Sequence, residues 1–124
     1  MKEILFIGLG GFAGSVARYY VSKINVFIDF FSIPLGTLLV NVAGSLLLGF
    51  LTGIAEKSIL MTPELRWFLM IGLCGGFTTF STFAGENLML MRNGQFLTVG
   101  LYTGISVFLG FLAVYLGYIS TKLL

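Results

Sequence analysis

Long stretches of this chain carry no formal charge, and that spacing limits what it can fold into more than any other feature. Phe30–Ala55, Trp67–Gly85 and Asn93–Thr121 are uncharged runs of 26, 19 and 29 residues. A helix needs about 20 apolar residues to cross about 30 Å of hydrocarbon, so each run is long enough, or nearly so, for a transmembrane helix. A fourth candidate, Ile4–Tyr20, is apolar except for Arg18 near its end. That arginine can snorkel to the interface or face a watery cavity inside the protein. The segment also resembles a signal peptide, with Lys2, an apolar run and Ser15-Val16-Ala17 as a cleavage site. Glu3 weakens the positive start, however, and the glycines at 8, 10, 11 and 14 suit a close helix contact better. The expectation is therefore an all-α membrane protein. It is a single four-helix domain over 1–124, with helices near 3–22, 34–55, 65–91 and 95–121, punctuated by Asp29 and Pro34, Glu56-Lys57 and Thr62-Pro63, and Arg92-Asn93-Gly94.

Composition agrees and narrows the function. The chain is 57% hydrophobic and 10% charged, against about 25% charged in soluble domains. A 124-residue globule has too little interior to hide that much apolar surface from water. The net charge of +2 leaves no electrostatic footprint for nucleic acid. With no histidine and one cysteine, Cys74, metal-ligand clusters, disulfide frameworks and histidine-dependent catalysis drop out. The expectation is a non-enzyme.

Four spans place Lys2, Lys57, Arg66 and Lys122 on one side and Arg18, Lys23 and Arg92 on the other. The positive-inside bias that normally sets orientation is nearly absent. Two readings stay open: an uninformative count in short loops, or dual topology with opposite copies pairing as an antiparallel dimer. Small residues at four-residue spacing (Gly10/Gly14, Gly49/Gly53, Gly100/Gly104) permit close helix contact, within one chain or between copies. Their number on so few helices favours a homo-oligomer.

The third span is unusual. Residues 75–83 read Gly-Gly-Phe-Thr-Thr-Phe-Ser-Thr-Phe, a poor helix and a poor hydrophobic stretch. Either the helix breaks, which membrane depth tolerates only when the backbone is buried in protein or lines a cavity, or it continues with its hydroxyls bonded back to i−4 carbonyls. A break frees carbonyl and amide groups, the parts from which ion sites are built.

Phe80 and Phe83 share one helical face if a helix resumes after the break. Phenylalanines of a membrane helix commonly face lipid, but positive ring edges turned to a pore can stabilise a small anion without trapping it. Thr37, Asn41 and Ser45 make a polar stripe on the second span, while Tyr102 and Ser106, with Thr103 beside them, recur at four-residue spacing on the fourth. Such residues also serve as interhelical glue, but Asn41 carries two amide donors at mid-membrane depth. A path lined by neutral donors and ring edges suits an anion. Glu86, the carboxylate of the third span, is either a proton acceptor or the mark of the helix leaving lipid.

Three patterns together resemble the Fluc (CrcB) fluoride-channel family: Gly10-Gly11-Phe12-Ala13-Gly14 leading to Arg18, Asn41-Val42-Ala43-Gly44-Ser45, and Gly72 through Phe83, GLCGGFTTFSTF. The resemblance covers essentially the whole chain, and GGFTTFSTF is its most specific element. It implies a passive channel exporting cytoplasmic fluoride down its gradient to relieve toxicity, from a multi-pass position in the bacterial plasma (inner) membrane. It also implies a dual-topology antiparallel homodimer with two pores along the subunit interface. A structural, untransported Na+ would sit at its centre, held by backbone carbonyls of Gly75 and Thr78 from each subunit. Phe80 and Phe83 would form an aromatic box beside the fluoride path, with Asn41 as a donor. Ser81, Thr82, Tyr102 and Ser106 would line the pore, Arg18 would sit in an aqueous vestibule, and Thr37 and Glu86 would join the path.

The alternative is a proton-coupled multidrug or cation exporter of the four-helix antiparallel-dimer type. It needs a membrane-embedded carboxylate, for which the first three spans offer only Glu3 at the edge and Glu86 late. An assembly or lipid-packing subunit would not need the polar, glycine-broken third span.

Overall fold

The computed structural model describes residues 1–23, 32–57 and 61–124, and its regular elements are helices. Asp29, one of the expected loop charges, lies outside these residues. The helices are α1 (Lys2–Ser22), α2 (Leu35–Lys57), α3 (residues 63–77), α4 (Phe80–Arg92) and α5 (Phe96–Ser120), and a 3-10 turn over Thr121–Leu123 follows. Four segments are long and apolar enough to cross a membrane: Lys2–Ser22, Leu35–Lys57, Pro63–Arg92 and Phe96–Leu123. The third contains both α3 and α4.

Local chemistry sets the ends. Thr62 precedes Pro63 at the first position of α3 and accepts the Leu65 N–H on its hydroxyl at 3.3 Å, the usual cap of a helix start. Gly94, at φ 75°, takes the left-handed backbone that the turn from α4 to α5 requires.

Two tight helix pairs form the frame. Gly10 and Gly14 of α1 lie buried against α3, where an added methyl would collide with the carbonyls of Phe68 and Leu73. On the other side of the seam, Gly72 and Gly76 meet the backbone of α1. α2 and α5 pack in the same way, Gly49 against the Val114 carbonyl and Gly117 against the Leu46 carbonyl. Absent side chains let backbones approach in lipid, where dispersion rather than the hydrophobic effect drives association. Two of the three expected small-residue pairs are thus used inside the chain, since Gly53 meets Thr121. Gly100 and Gly104 differ: an added methyl there would meet nothing within 4 Å.

The interior is thin. Ile33, Leu90 and Tyr102 form its buried apolar cluster, and Val40 and Thr37 of α2 are also fully buried. Large apolar side chains such as Phe80, Leu97, Phe108 and Phe111 face outward. An apolar exterior on this scale requires lipid or another protein surface against it.

α3 ends at Phe77, beyond which Thr78 (φ −83°, ψ 158°) and Thr79 (φ −152°, ψ 123°) are extended. The adjacent Gly75 and Gly76 each weaken a helix by roughly 1 kcal/mol relative to alanine. The β-branched threonines favour extended backbone, and Thr79 is also a good residue to begin a new helix. Thr78 and Thr79 lie midway along the 30-residue Pro63–Arg92 span, in which Arg66–Cys74 is wound as a π-helix, and about 20 residues suffice to cross the hydrocarbon. The break therefore falls inside the hydrocarbon, where its freed polar groups must be satisfied by protein.

Candidate functional site

The backbone groups at the break can be followed one by one. A continuous α-helix would send the N–H groups of Thr79, Phe80 and Thr82 to the carbonyls of Gly75, Gly76 and Thr78. Instead, the Thr79 N–H donates to Asn41 Oδ1 at 2.7 Å, and Asn41 Nδ2 donates to the Thr79 carbonyl at 3.1 Å. The Gly76 carbonyl accepts from Arg18 Nε at 3.0 Å. The Thr82 N–H donates to Thr79 Oγ1 at 3.2 Å. Thr78 closes the last turn of α3, its N–H and its hydroxyl both reaching the Cys74 carbonyl at 3.0 Å. The carbonyls of Gly75 and Thr78 have therefore lost their helical amides to side chains.

Asn41 also lines an open groove of about 370 Å³ with Thr78, Thr79, Phe80, Phe83 and Ser106. Phe80 and Phe83, one helical turn apart on α4, have ring centroids 5.8 Å apart and planes tilted by 49°. Phe83 continues onto Tyr102 of α5 at 4.9 Å and 59°. Ser106 Oγ is buried with no hydrogen-bond partner among the described residues, so its hydroxyl is available to donate. The Asn41 amide spends one hydrogen on Thr79 and keeps a second. Of the two amide donors at Asn41, the broken backbone takes one and the other remains.

Arg18 lines a different cavity, of about 220 Å³, with Ser15, Ser22, Thr37, Thr79 and Thr82. Its guanidinium lies at the C-terminal end of α3, where the helix dipole favours a cation. Thr79 borders both cavities.

A third polar group joins α2, α4 and α5. Glu86 accepts from Thr37 Oγ1 at 2.8 Å on one oxygen and from the Tyr102 hydroxyl at 2.9 Å on the other. Thr37 and Tyr102 are fully buried, and hydroxyls donating to a carboxylate are among the stronger neutral partners for a charge.

The predicted residues are thus distributed. Asn41, Phe80, Phe83 and Ser106 share one groove, together with Gly75 and Thr78. Arg18, Thr37 and Thr82 share the other cavity. Tyr102 and Glu86 belong to the buried network, while Ser81 is exposed on α4. The sequence reading did not single out Thr79, whose backbone and side chain hold the break. A threonine directly before a resuming helix was the available signal.

Among the described residues, no group of histidine, cysteine, aspartate and glutamate converges as a metal site. A cation here would be held by carbonyl oxygens, and those of Gly75 and Thr78 fit by chemistry, being hard donors freed from the helix. Two carbonyls from one chain would not by themselves complete the shell of a hard cation, which takes six or more oxygens when fully coordinated.

Residues 5–118 match the family described as CrcB-like protein, Camphor Resistance (CrcB). A Flavobacterium psychrophilum protein named fluoride-specific ion channel FluC is 45% identical over 123 residues, covering 98% of both chains. A Chlorobium chlorochromatii protein of the same name is 46% identical over 120 residues, covering 97% of this chain and 92% of its own. One from Nitratidesulfovibrio vulgaris is 44% identical over 117 residues, 94% of each.

Proposed function

This chain belongs to the CrcB-like protein family, and from that premise we propose that it is a fluoride-selective passive channel of the cell membrane. It lets cytoplasmic fluoride leave down its gradient and so relieves fluoride toxicity. The names of its relatives support this reading. The observation that carries it is the donor set of the larger groove: the partnerless Ser106 hydroxyl, the second amide hydrogen of Asn41 and the rings of Phe80 and Phe83. All are neutral, and Arg18 is engaged elsewhere, on the Gly76 carbonyl.

That chemistry suits a small, strongly hydrated anion. A narrow path must replace the water of fluoride with donors, yet a full cationic charge in a low-dielectric pore would hold the ion too tightly to release it. Hydroxyls, an amide and ring edges are intermediate in strength. Hydrogen fluoride is a weak acid that crosses membranes neutral and dissociates inside. A passive anion path then suffices for export.

The working unit in this proposal is an antiparallel homodimer of dual topology, each copy a single membrane domain over 1–124. Three observations support it: the near-even division of basic residues between the two sides, the outward-facing Phe80 ring (78% exposed), and the open Gly100/Gly104 face of α5. Paired copies would bring Phe80 and Phe83 beside a path that also uses Ser81, Thr82, Tyr102, Thr37 and Glu86, with Arg18 in the vestibule. The carbonyls of Gly75 and Thr78 from both copies would hold a structural Na+, which when bound supplies positive charge that locks the two breaks together.

The test is efflux from proteoliposomes recorded with a fluoride electrode. Passive fluoride release with chloride retained is expected, and equal loss of the two ions would refute selectivity.

A further inference from the structure

We propose that Asn41 and the Thr79 side chain are positioning residues that create the cation cradle, by intercepting the two amides that would otherwise cover its carbonyls. The inference rests on the sodium reading above and assigns its cause.

Glycines and threonines weaken the helix, but weakness alone does not leave a carbonyl free. In hydrocarbon a carbonyl takes any amide within reach, because an unpaired polar group there costs several kcal/mol. Residues 75–82 would lower their free energy by closing back into a helix unless the competing donors were engaged. Two donors matter. The Thr79 N–H, natural partner of the Gly75 carbonyl, is held at 2.7 Å by Asn41 Oδ1. Asn41 also holds the other side of the same residue, its Nδ2 donating to the Thr79 carbonyl at 3.1 Å. This paired contact copies the exchange between neighbouring β-strands and pins Thr79 in its extended conformation, φ −152° and ψ 123°. The second donor, the Thr82 N–H, is natural partner of the Thr78 carbonyl and is taken at 3.2 Å by Thr79 Oγ1. The two intercepted amides correspond one for one to the two carbonyls of the cradle.

Asn41 stands on α2 and also lines the aromatic groove, so one side chain links the anion path to the cation site. Both halves need a side chain that accepts and donates at once, as the Asn41 amide does. Aspartate can accept from Thr79 but cannot donate to it, and leucine can do neither.

The experiment measures the apparent sodium affinity of the purified full-length protein in detergent, as the sodium-dependent rise in unfolding temperature with N-methylglucamine as the replacement cation. Backbone carbonyl NMR shifts of residues 75 and 78 are recorded in parallel without sodium. Thr79→Val removes the hydroxyl at nearly constant shape and should weaken sodium affinity about tenfold, the effect of one hydrogen bond competing for a ligand. Thr79→Ser should restore it. Asn41→Leu should weaken it at least as much and move the Gly75 carbonyl shift toward the helical value. Should Asn41→Leu fail to fold, the Thr79→Val and Thr79→Ser pair decides alone. Thr79→Val with wild-type sodium affinity and an unmoved Thr78 carbonyl shift would overturn the inference. A wild-type protein indifferent to sodium would instead overturn the cation reading on which the inference stands, whatever the carbonyl shifts do.

Discussion

Glu86 of α4 accepts the hydroxyl of Tyr102 of α5 at 2.9 Å, and the Tyr102 ring packs on Phe83 one turn back along α4. The other oxygen of this carboxylate receives Thr37 of α2, so Glu86 is held between helices. Burial of a carboxylate is tolerable when donors surround it, and here they come from two other elements.

Tyr102→Phe keeps the ring on Phe83 and deletes the bond to Glu86. Stability should fall by about 1–3 kcal/mol, the cost of removing a donor from a half-buried charged acceptor. Thermal unfolding of the purified protein measures it. An unchanged unfolding temperature would mean that the remaining partners of Glu86, Thr37 among them, satisfy it.

Ser106→Ala separates function from stability. The hydroxyl has no partner among the described residues, so its removal should leave the unfolding temperature unchanged or raise it. Fluoride efflux should nevertheless drop several-fold if that hydroxyl serves the ion. Loss of stability without loss of flux would assign it a structural role.

Phe80→Ile preserves apolar bulk and removes the ring edge. Because Phe80 is largely exposed, folding should tolerate the change while fluoride flux is abolished or sharply reduced. Undiminished flux in proteoliposomes would remove the aromatic edge from the mechanism.

Gly49→Val inserts a branched side chain where the Val114 carbonyl already sits, and Gly104→Val inserts one into open space. The first should destabilise the folded chain by about 1–3 kcal/mol or more through overpacking. The second should spare the fold of the single chain and disturb association between copies, as read by size-exclusion chromatography with light scattering. A Gly104→Val protein that associates like wild type would place the dimer contact on another face.

Reporter tags on both termini should appear on both sides of the membrane, because the basic residues divide nearly evenly between its faces. A single orientation would defeat dual topology and the antiparallel assembly that depends on it.

Crossing a bilayer depends on transfer free energy summed over about 20 consecutive residues, so charge spacing alone revealed the four spans. Weakness of the helix around residues 75–83 was legible for a similar reason, since glycine pairs and β-branched neighbours act on their own turn of backbone, although the sequence left a continuous helix open. The structure opens it at Thr78 and Thr79. Motif resemblance supplied the family. None of these local quantities indicates where a freed backbone group finds its partner. Asn41 reaches Thr79 across 38 positions, Thr37 reaches Glu86 across 49 and Arg18 reaches Gly76 across 58. Close packing allows these pairings: the α1/α3 glycine seam carries Arg18 to Gly76, and Gly44 of α2 lets Thr78 approach beside Asn41. Packing likewise decided that Gly10, Gly14, Gly49 and Gly53 serve the interior while Gly100 and Gly104 remain open. Identical spacing in the chain cannot distinguish them, because the difference lies in which surface each helix turns toward its neighbour.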